Sequence, residues 1–163
     1  MSLVYKTIDS PVGKLTLVAS DRALVAVLWE KERPNRVRVG ELEERRTHPI
    51  LIRAECQIAE YFAGKRKNFS LSLEMRGSSF QKQVWNALLE IPFGETKSYG
   101  DLAKRLGNPQ ATRAVGAATG KNPLSIIVPC HRVIGSNGKL TGFAGGLEAK
   151  TRLLQLEQNG SNH

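Results

Sequence analysis

Two hydrophobic periods divide this chain, and they restrict its fold before any single residue is considered. Residues 3–30, LVYKTIDSPVGKLTLVASDRALVAVLWE, alternate apolar and polar positions. Turn signals at Ser10-Pro11-Val12-Gly13 and Ser20-Asp21 break the run into three short strands. Residues 31–47 are charged and loop-like. From Pro49 to Ala63 the apolar positions Ile52, Cys56, Ala59 and Phe62 recur at helical spacing, with Gly64 as the stop. Phe69–Leu73 is a candidate further strand. Met75-Arg76-Gly77 marks the expected boundary between a domain at residues 1–76 and another at 77–163.

Beyond that boundary the pattern is helical. Ser78 and Gln81 fit a capping box, and Phe80, Val84, Trp85, Leu88 and Leu89 form one apolar face. Ser98 is placed to cap a second helix, Tyr99–Leu106, which ends at Gly107. Asn108 then caps a third, with Pro109 in its first turn, running through Arg113 to about Gly120. Two short helices joined by Gly-Asn-Pro fit a helix-turn-helix, and an ordinary helical hairpin is the alternative. The third helix is slender: Ala111, Ala114, Gly116, Ala117, Ala118 and Gly120 let its backbone approach a partner closely. Arg113 is the one long side chain near its start.

The charge is unevenly placed. The 163 residues carry a formal net charge of +9. Between Lys97 and Lys139 lie Lys97, Lys104, Arg105, Arg113, Lys121, Arg132 and Lys139 against one acid, Asp101. Such a patch suits a polyanion such as nucleic acid, and a solvated basic face is the alternative. No apolar run reaches the ~18 residues of a membrane span, and MSLVYKTIDS lacks the apolar region of a signal peptide. The expected location is the cytoplasm, where thiols stay reduced, with no membrane partner.

Only two cysteines are present. Cys56 falls on the apolar face expected for residues 49–63 and reads as a small buried hydrophobe. Cys130 sits in IIVPCHRVIG, where Pro129 ends an expected buried strand, Leu124–Val128, and presents the thiol at the strand end. His131 adjoins it, and Arg132 and Lys121 are near in sequence, a setting that favours thiolate, the nucleophilic form. A metal site is not expected: two cysteines and three histidines (His48, His131, His163) give no paired ligand spacing. The zinc-deaminase pattern, the papain-like signature and the glycine-rich phosphate loops are all missing.

VPCHRVIG, preceded by Asn122-Pro123 and followed by GKLTGFAGGLEAK, resembles the O6-alkylguanine–DNA alkyltransferase family, also called methylated-DNA–protein-cysteine methyltransferase. The resemblance runs over roughly residues 78–158 and includes IPFGETKSYGDLA and GNPQATRAVG. It is looser before residue 75, in TIDSPVGKLTL and AEYFAG. It implies an α/β (α+β) chain: an N-terminal ribonuclease H-like domain of sheet and helix, and a helical C-terminal domain with a winged helix-turn-helix. The implied function is repair of O6-alkylguanine, with O4-methylthymine as a further substrate candidate. The base leaves the duplex and its alkyl group passes irreversibly to the protein's own cysteine, one turnover per chain. A non-catalytic base-recognition relative and a winged-helix transcription regulator are the other readings; Cys130 argues against the first, since such relatives replace the cysteine, and the second has no use for PCHRV.

By the same resemblance Cys130 is the acceptor, His131 a general base acting through a water, and Glu157 its orienting partner. Asn122 ties the third helix to the cysteine segment. Tyr99 donates to the base, the backbone amide at Ala144 faces the oxygen, and the carbonyls of Cys130 and Val133 accept from the exocyclic amine. Phe143 and Ser125 border the pocket; some members have tyrosine and a second proline there, and serine at Ala144. Double-stranded DNA is entered through the minor groove, with Arg113 filling the vacated stack and Ala114, Gly116, Ala117, Lys104, Arg105 and Lys121 as further DNA-binding residues. No cofactor is implied, and the protein is expected to be a monomer in free solution. The sequence alone adds that Glu157 follows Leu153 by four residues and Leu154 by three. It therefore points near a stripe of Leu147, Leu153, Leu154 and Leu156, where an unpaired carboxylate is costly.

Overall fold

The alternation at the N-terminus folds into three strands, β1 (Leu3–Ile8), β2 (Leu15–Ala19) and β3 (Leu24–Trp29). This is seen in a computed structural model that describes residues 3–32, 36–135, 138 and 143–161. β1 and β2 pair antiparallel, as do β2 and β3. A short β4 (Leu42–Glu44) joins the far edge parallel to β1, giving the order β3-β2-β1-β4. Residues 31–47 read as loop in the sequence; β4, three residues with two exposed glutamates, carries no alternation to detect. Phe69–Leu73 is not a strand. It contributes one bridge, Leu73 to Leu24, flanked by hydrogen bonds of 2.8 and 2.9 Å that tie the segment to β3.

Helix α1 (Pro49–Phe62) covers the sheet, capped by His48. Its buried face is Leu51, Ala54, Gln57, Ile58 and Tyr61, one position away from the expected one, so Ile52, Ala59 and Cys56 are exposed. Two apolar stripes interleave on this helix. The sheet selects the one that carries Tyr61 and lets the Gln57 amide bond both ways with the backbone of Ser70, at 3.1 and 2.9 Å.

Helix α2 (Ser79–Leu89) begins at the expected capping box of Ser78 and Gln81. It buries Val84, Trp85 and Leu88 and leaves Leu89 exposed. Strand β5 (Lys97–Ser98) leads into α3 (Tyr99–Arg105), where Ser98 and Asp101 cap reciprocally. Helix α4 starts later than expected, at Thr112, and ends at Gly120. Asn108 does not cap it. The Asn108 and Gly107 N–H groups instead close the end of α3 on the Ala103 and Lys104 carbonyls, at 2.9 and 3.0 Å. Pro109 stands in the turn between the helices rather than in α4.

Strand β6 (Val133–Ile134) pairs parallel with β5, and α5 (Leu147–Ser161) closes the chain. Leu147, expected on the inner stripe of α5, is exposed; the buried positions are Ala149, Lys150, Leu153 and Glu157. One apolar cluster runs from Leu15, Leu17 and Trp29 of the sheet through Tyr61 of α1 to Val84, Val115, Val128 and Leu153. The sheet and the helices beyond it therefore share a core. No helix among the described residues is long and apolar enough to cross a membrane.

Candidate active site

Leu124–Val128 is a tight turn, not a strand. The Val128 N–H returns to the Leu124 carbonyl at 2.8 Å and that of Ile127 to Ser125 at 2.9 Å. Ile126 turns the corner at φ 75°, a left-handed conformation that a β-branched side chain adopts only when its surroundings force it. Asn122, buried at the foot of α4, supplies part of that force. Its Nδ2 donates to the Val128 carbonyl at 2.9 Å and its Oδ1 accepts from the Leu124 N–H at 3.0 Å. The turn delivers Pro129 and then a one-turn 3₁₀ helix, Cys130–Arg132, whose three side chains are all buried.

Behind the cysteine lies a closed polar network. His131 Nε2 is 2.7 Å from Glu157 Oε2. Arg132 donates from Nε to Oε1 at 2.7 Å and from Nη2 to Oε2 at 3.0 Å. The Tyr61 hydroxyl donates to Oε2 at 2.6 Å. Burial pushes the Glu157 carboxyl up, but these hydrogen bonds and the Arg132 charge outweigh it and hold the carboxyl at about 2. Burial, with the neighbouring carboxylate, pushes the Tyr61 phenol far up, so it stays a donor. Burial lowers His131, against the pull of Glu157, and Arg132 and Lys150 lower it further. The imidazole is therefore neutral, with Nε2–H turned to the carboxylate and Nδ1 a bare acceptor. Nδ1 is also the buried polar side-chain atom that has no partner among the described residues.

The thiol is not in the electropositive setting expected from Arg132 and Lys121. Arg132 is spent on Glu157 and on the Ile91 carbonyl at 2.6 Å. The cations that act on Cys130 are Arg36 and Lys150. Burial dominates and raises the thiol above its ordinary value, opposed by a hydrogen bond from Asn122 and by those two charges. Lys150 is itself lowered by burial, and its Nζ donates to the Val133 carbonyl at 2.6 Å. That carbonyl keeps a second lone pair for a ligand.

Phe143 and Ala144 precede α5 on a loop braced from the sheet. The Trp29 ring stands edge-on to Phe143, with centroids 5.4 Å apart. A Cβ on Gly145 would lie 2.6 Å from the same ring, so only glycine lets the loop settle there. The Trp29 indole N–H donates to Ser125 Oγ at 3.0 Å, and Ser125 is fully buried rather than open at a pocket wall. Tyr99 begins α3, and a Cβ on Gly116 of α4 would lie 3.8 Å from its ring. On α4, Val115, Ala118 and Thr119 face the core, while Arg113, Ala114 and Ala117 are exposed and Gly116 is half-buried. Lys104 and Lys121 are exposed; Arg105 is exposed but paired with Glu90 at 3.0 Å. Arg132 leaves the basic surface altogether, and Lys139 lies outside the described residues. Among the described residues no group of three or more His, Cys, Asp or Glu could hold a metal ion.

Sequence reasoning missed Tyr61, Arg132 as a partner of Glu157, Trp29, Lys150 and Arg36. Tyr61 had a usable signal: a tyrosine on the second apolar stripe of α1 requires a hydroxyl partner once buried. Arg36, whose Nη1 donates to the carbonyls of Gly120 at 3.1 Å and Asn122 at 2.8 Å, had none.

Residues 79–159 match the family described as 6-O-methylguanine DNA methyltransferase, DNA binding domain, and residues 3–75 its ribonuclease-like domain. A methylated-DNA–protein-cysteine methyltransferase from Mycolicibacterium paratuberculosis is 47% identical over 157 residues, covering 96% of this chain and 93% of the relative. One from Methanosarcina acetivorans is 47% identical over 159 residues, covering 95% and 98%. The crystal structure of Mycobacterium tuberculosis OGT in complex with DNA superposes with a TM-score of 0.88 at 45% identity, over 96% of this chain and 94% of that one.

Proposed function

The chain belongs to the 6-O-methylguanine DNA methyltransferase family, and from that premise we propose that it repairs O6-alkylguanine in duplex DNA by moving the alkyl group to Cys130. The observation that carries this reading is the buried thiol backed by a neutral His131 whose outer nitrogen is held by Glu157. The thiol passes its proton, through a water, to Nδ1. The sulfur attacks the alkyl carbon in line, the S–C bond forms as the C–O6 bond breaks, and the electron pair stays on the guanine oxygen. Tyr99 and the Ala144 amide stabilise the departing base by hydrogen bonding. Glu157 is already neutralised by Arg132, so its task is to fix the tautomer more than to balance an imidazolium.

The target must leave the stack. Arg113 and the small outer face of α4, Ala114 and Ala117, fit the minor groove, which is only about 6 Å wide. The protein acts as a monomer in the cytoplasm, where an acceptor thiol stays reduced. A thioether has no easy reversal, so each chain works once. Intact-mass analysis after incubation with duplex DNA containing O6-methylguanine tests this: one methylene is gained, mapped to Cys130, and none by Cys130→Ala. Repeated turnover, or methyl accepted by Cys130→Ala, would overturn it.

A further inference from the structure

A second basic feature lies away from the thiol, where the two halves of the chain meet. A cleft of about 210 Å³ opens between the loop at residues 36–39, Arg76, Gln81 and Lys121. It has room for about seven waters at roughly 30 Å³ each, enough for a phosphodiester group with part of its hydration. Among the described residues four cations line it, Arg36, Arg38, Arg76 and Lys121, and no carboxylate does. Arg36 and Arg76 are paired outside the lining with Glu32 and Glu74. Arg38 and Lys121 are exposed and have no ion-pair partner among the described residues.

We propose that this cleft docks the phosphate backbone of duplex DNA, carrying the DNA-binding face from α4 onto the N-terminal sheet half. The inference rests on the reading above and deepens it. Lys121 directly follows α4, so the cleft begins about 12 Å along that helix from Arg113, at ~1.5 Å per residue. This span is well within one turn of DNA, about 34–36 Å. The carboxyl end of a helix repels anions. Here Arg36 covers the carbonyls of Gly120 and Asn122, which removes that obstacle and clamps the loop bearing Arg38 beside Lys121. The amino end of α2 contributes Gln81 to the opposite wall. Gly77 lets the connecting segment lie flat on Trp85, whose ring would be 2.5 Å from any Cβ there, and this brings Arg76 to the rim. Without an ion-pair partner among the described residues and continuous with exposed Arg113 at the start of α4, Arg38 and Lys121 fit a polyanion laid along α4.

The test is the salt dependence of binding to undamaged duplex DNA. Each phosphate contact contributes about 0.9 to the slope of log K against log salt. Arg38→Gln lowers the slope by about 1 and Arg38→Gln/Lys121→Gln by about 2, whatever the base sequence, while Arg38→Lys keeps it. An unchanged slope in folded Arg38→Gln, confirmed by its thermal midpoint, overturns the cleft. Failure of the underlying reading would look different: the wild-type protein would not accept an alkyl group on Cys130 even from the free base.

Discussion

Cys56 and Cys130 carry one thiol each in opposite surroundings, and the exposed one belongs to the residue that the sequence pattern had placed in the core. A thiol reagent used on the native protein should therefore modify Cys56 first and leave alkyl transfer intact. Cys130, buried and with its thiol raised by that burial, should react only slowly at neutral pH. Peptide mapping beside a transfer assay checks this, and early loss of transfer would contradict it. Glu157 needs two variants. Glu157→Gln leaves the Arg132 guanidinium buried without a counter-charge, which costs about 3–5 kcal/mol, and it slows transfer by roughly 10²-fold. Glu157→Gln/Arg132→Met should regain most of the stability but not the rate. Denaturant midpoints and single-turnover transfer separate the two effects, and recovery of both would leave Glu157 a purely structural residue. DNA affinity should hardly change in either variant, because the network is buried away from α4.

The element that controls the site is the loop ahead of α5, and it is held by a tryptophan from β3. Gly145→Ala should push against the Trp29 ring, cost about 1–3 kcal/mol and slow transfer by displacing Phe143 and Ala144. Trp29→Phe in the same chain should recover part of the loss, whereas simple additivity of the two changes would rule out the contact as the cause. Contacts of this kind set the limit of what the sequence shows. Ser78 with Gln81 and Ser98 with Asp101 were readable or nearly so, because a cap is a local bargain between residues three apart. The start of α4 was not, since Asn108 can serve either helix and only the packed geometry gives it to α3. The turn at Ile126 looked like a strand for a similar reason: five apolar-rich residues fit both, and the deciding bonds come from Asn122 and β3. Cys130, His131 and Glu157 were singled out through the resemblance, and the structure brings His131 and Glu157 together, but the partners that set their charge states were not legible.

At the scale of the molecule, the buried network makes stability depend on pH from the acid side. The unfolded chain binds a proton at His131 below about 6.5, and the native chain, with its His131 lowered, does not. The unfolded state then holds more protons, so stability falls as pH drops below 6.5. The part owed to Glu157 is present above 4.5 and is lost as pH falls toward about 2. Urea unfolding measured across this range should show the upper limb flattened in His131→Gln; an unchanged profile would mean that other groups control it. The network also spans the chain. Tyr61 and Glu157 stand 96 residues apart, as do Trp29 and Ser125. A ribosome adding about 5–20 residues per second needs roughly 5–20 s to travel from one member of such a pair to the other. For that interval the nascent chain holds a tyrosine without its carboxylate and, later, a cysteine without its histidine's anchor. The network behind Cys130 is complete only once α5 has been made, so a chain still under synthesis lacks the carboxylate that sets the state of His131.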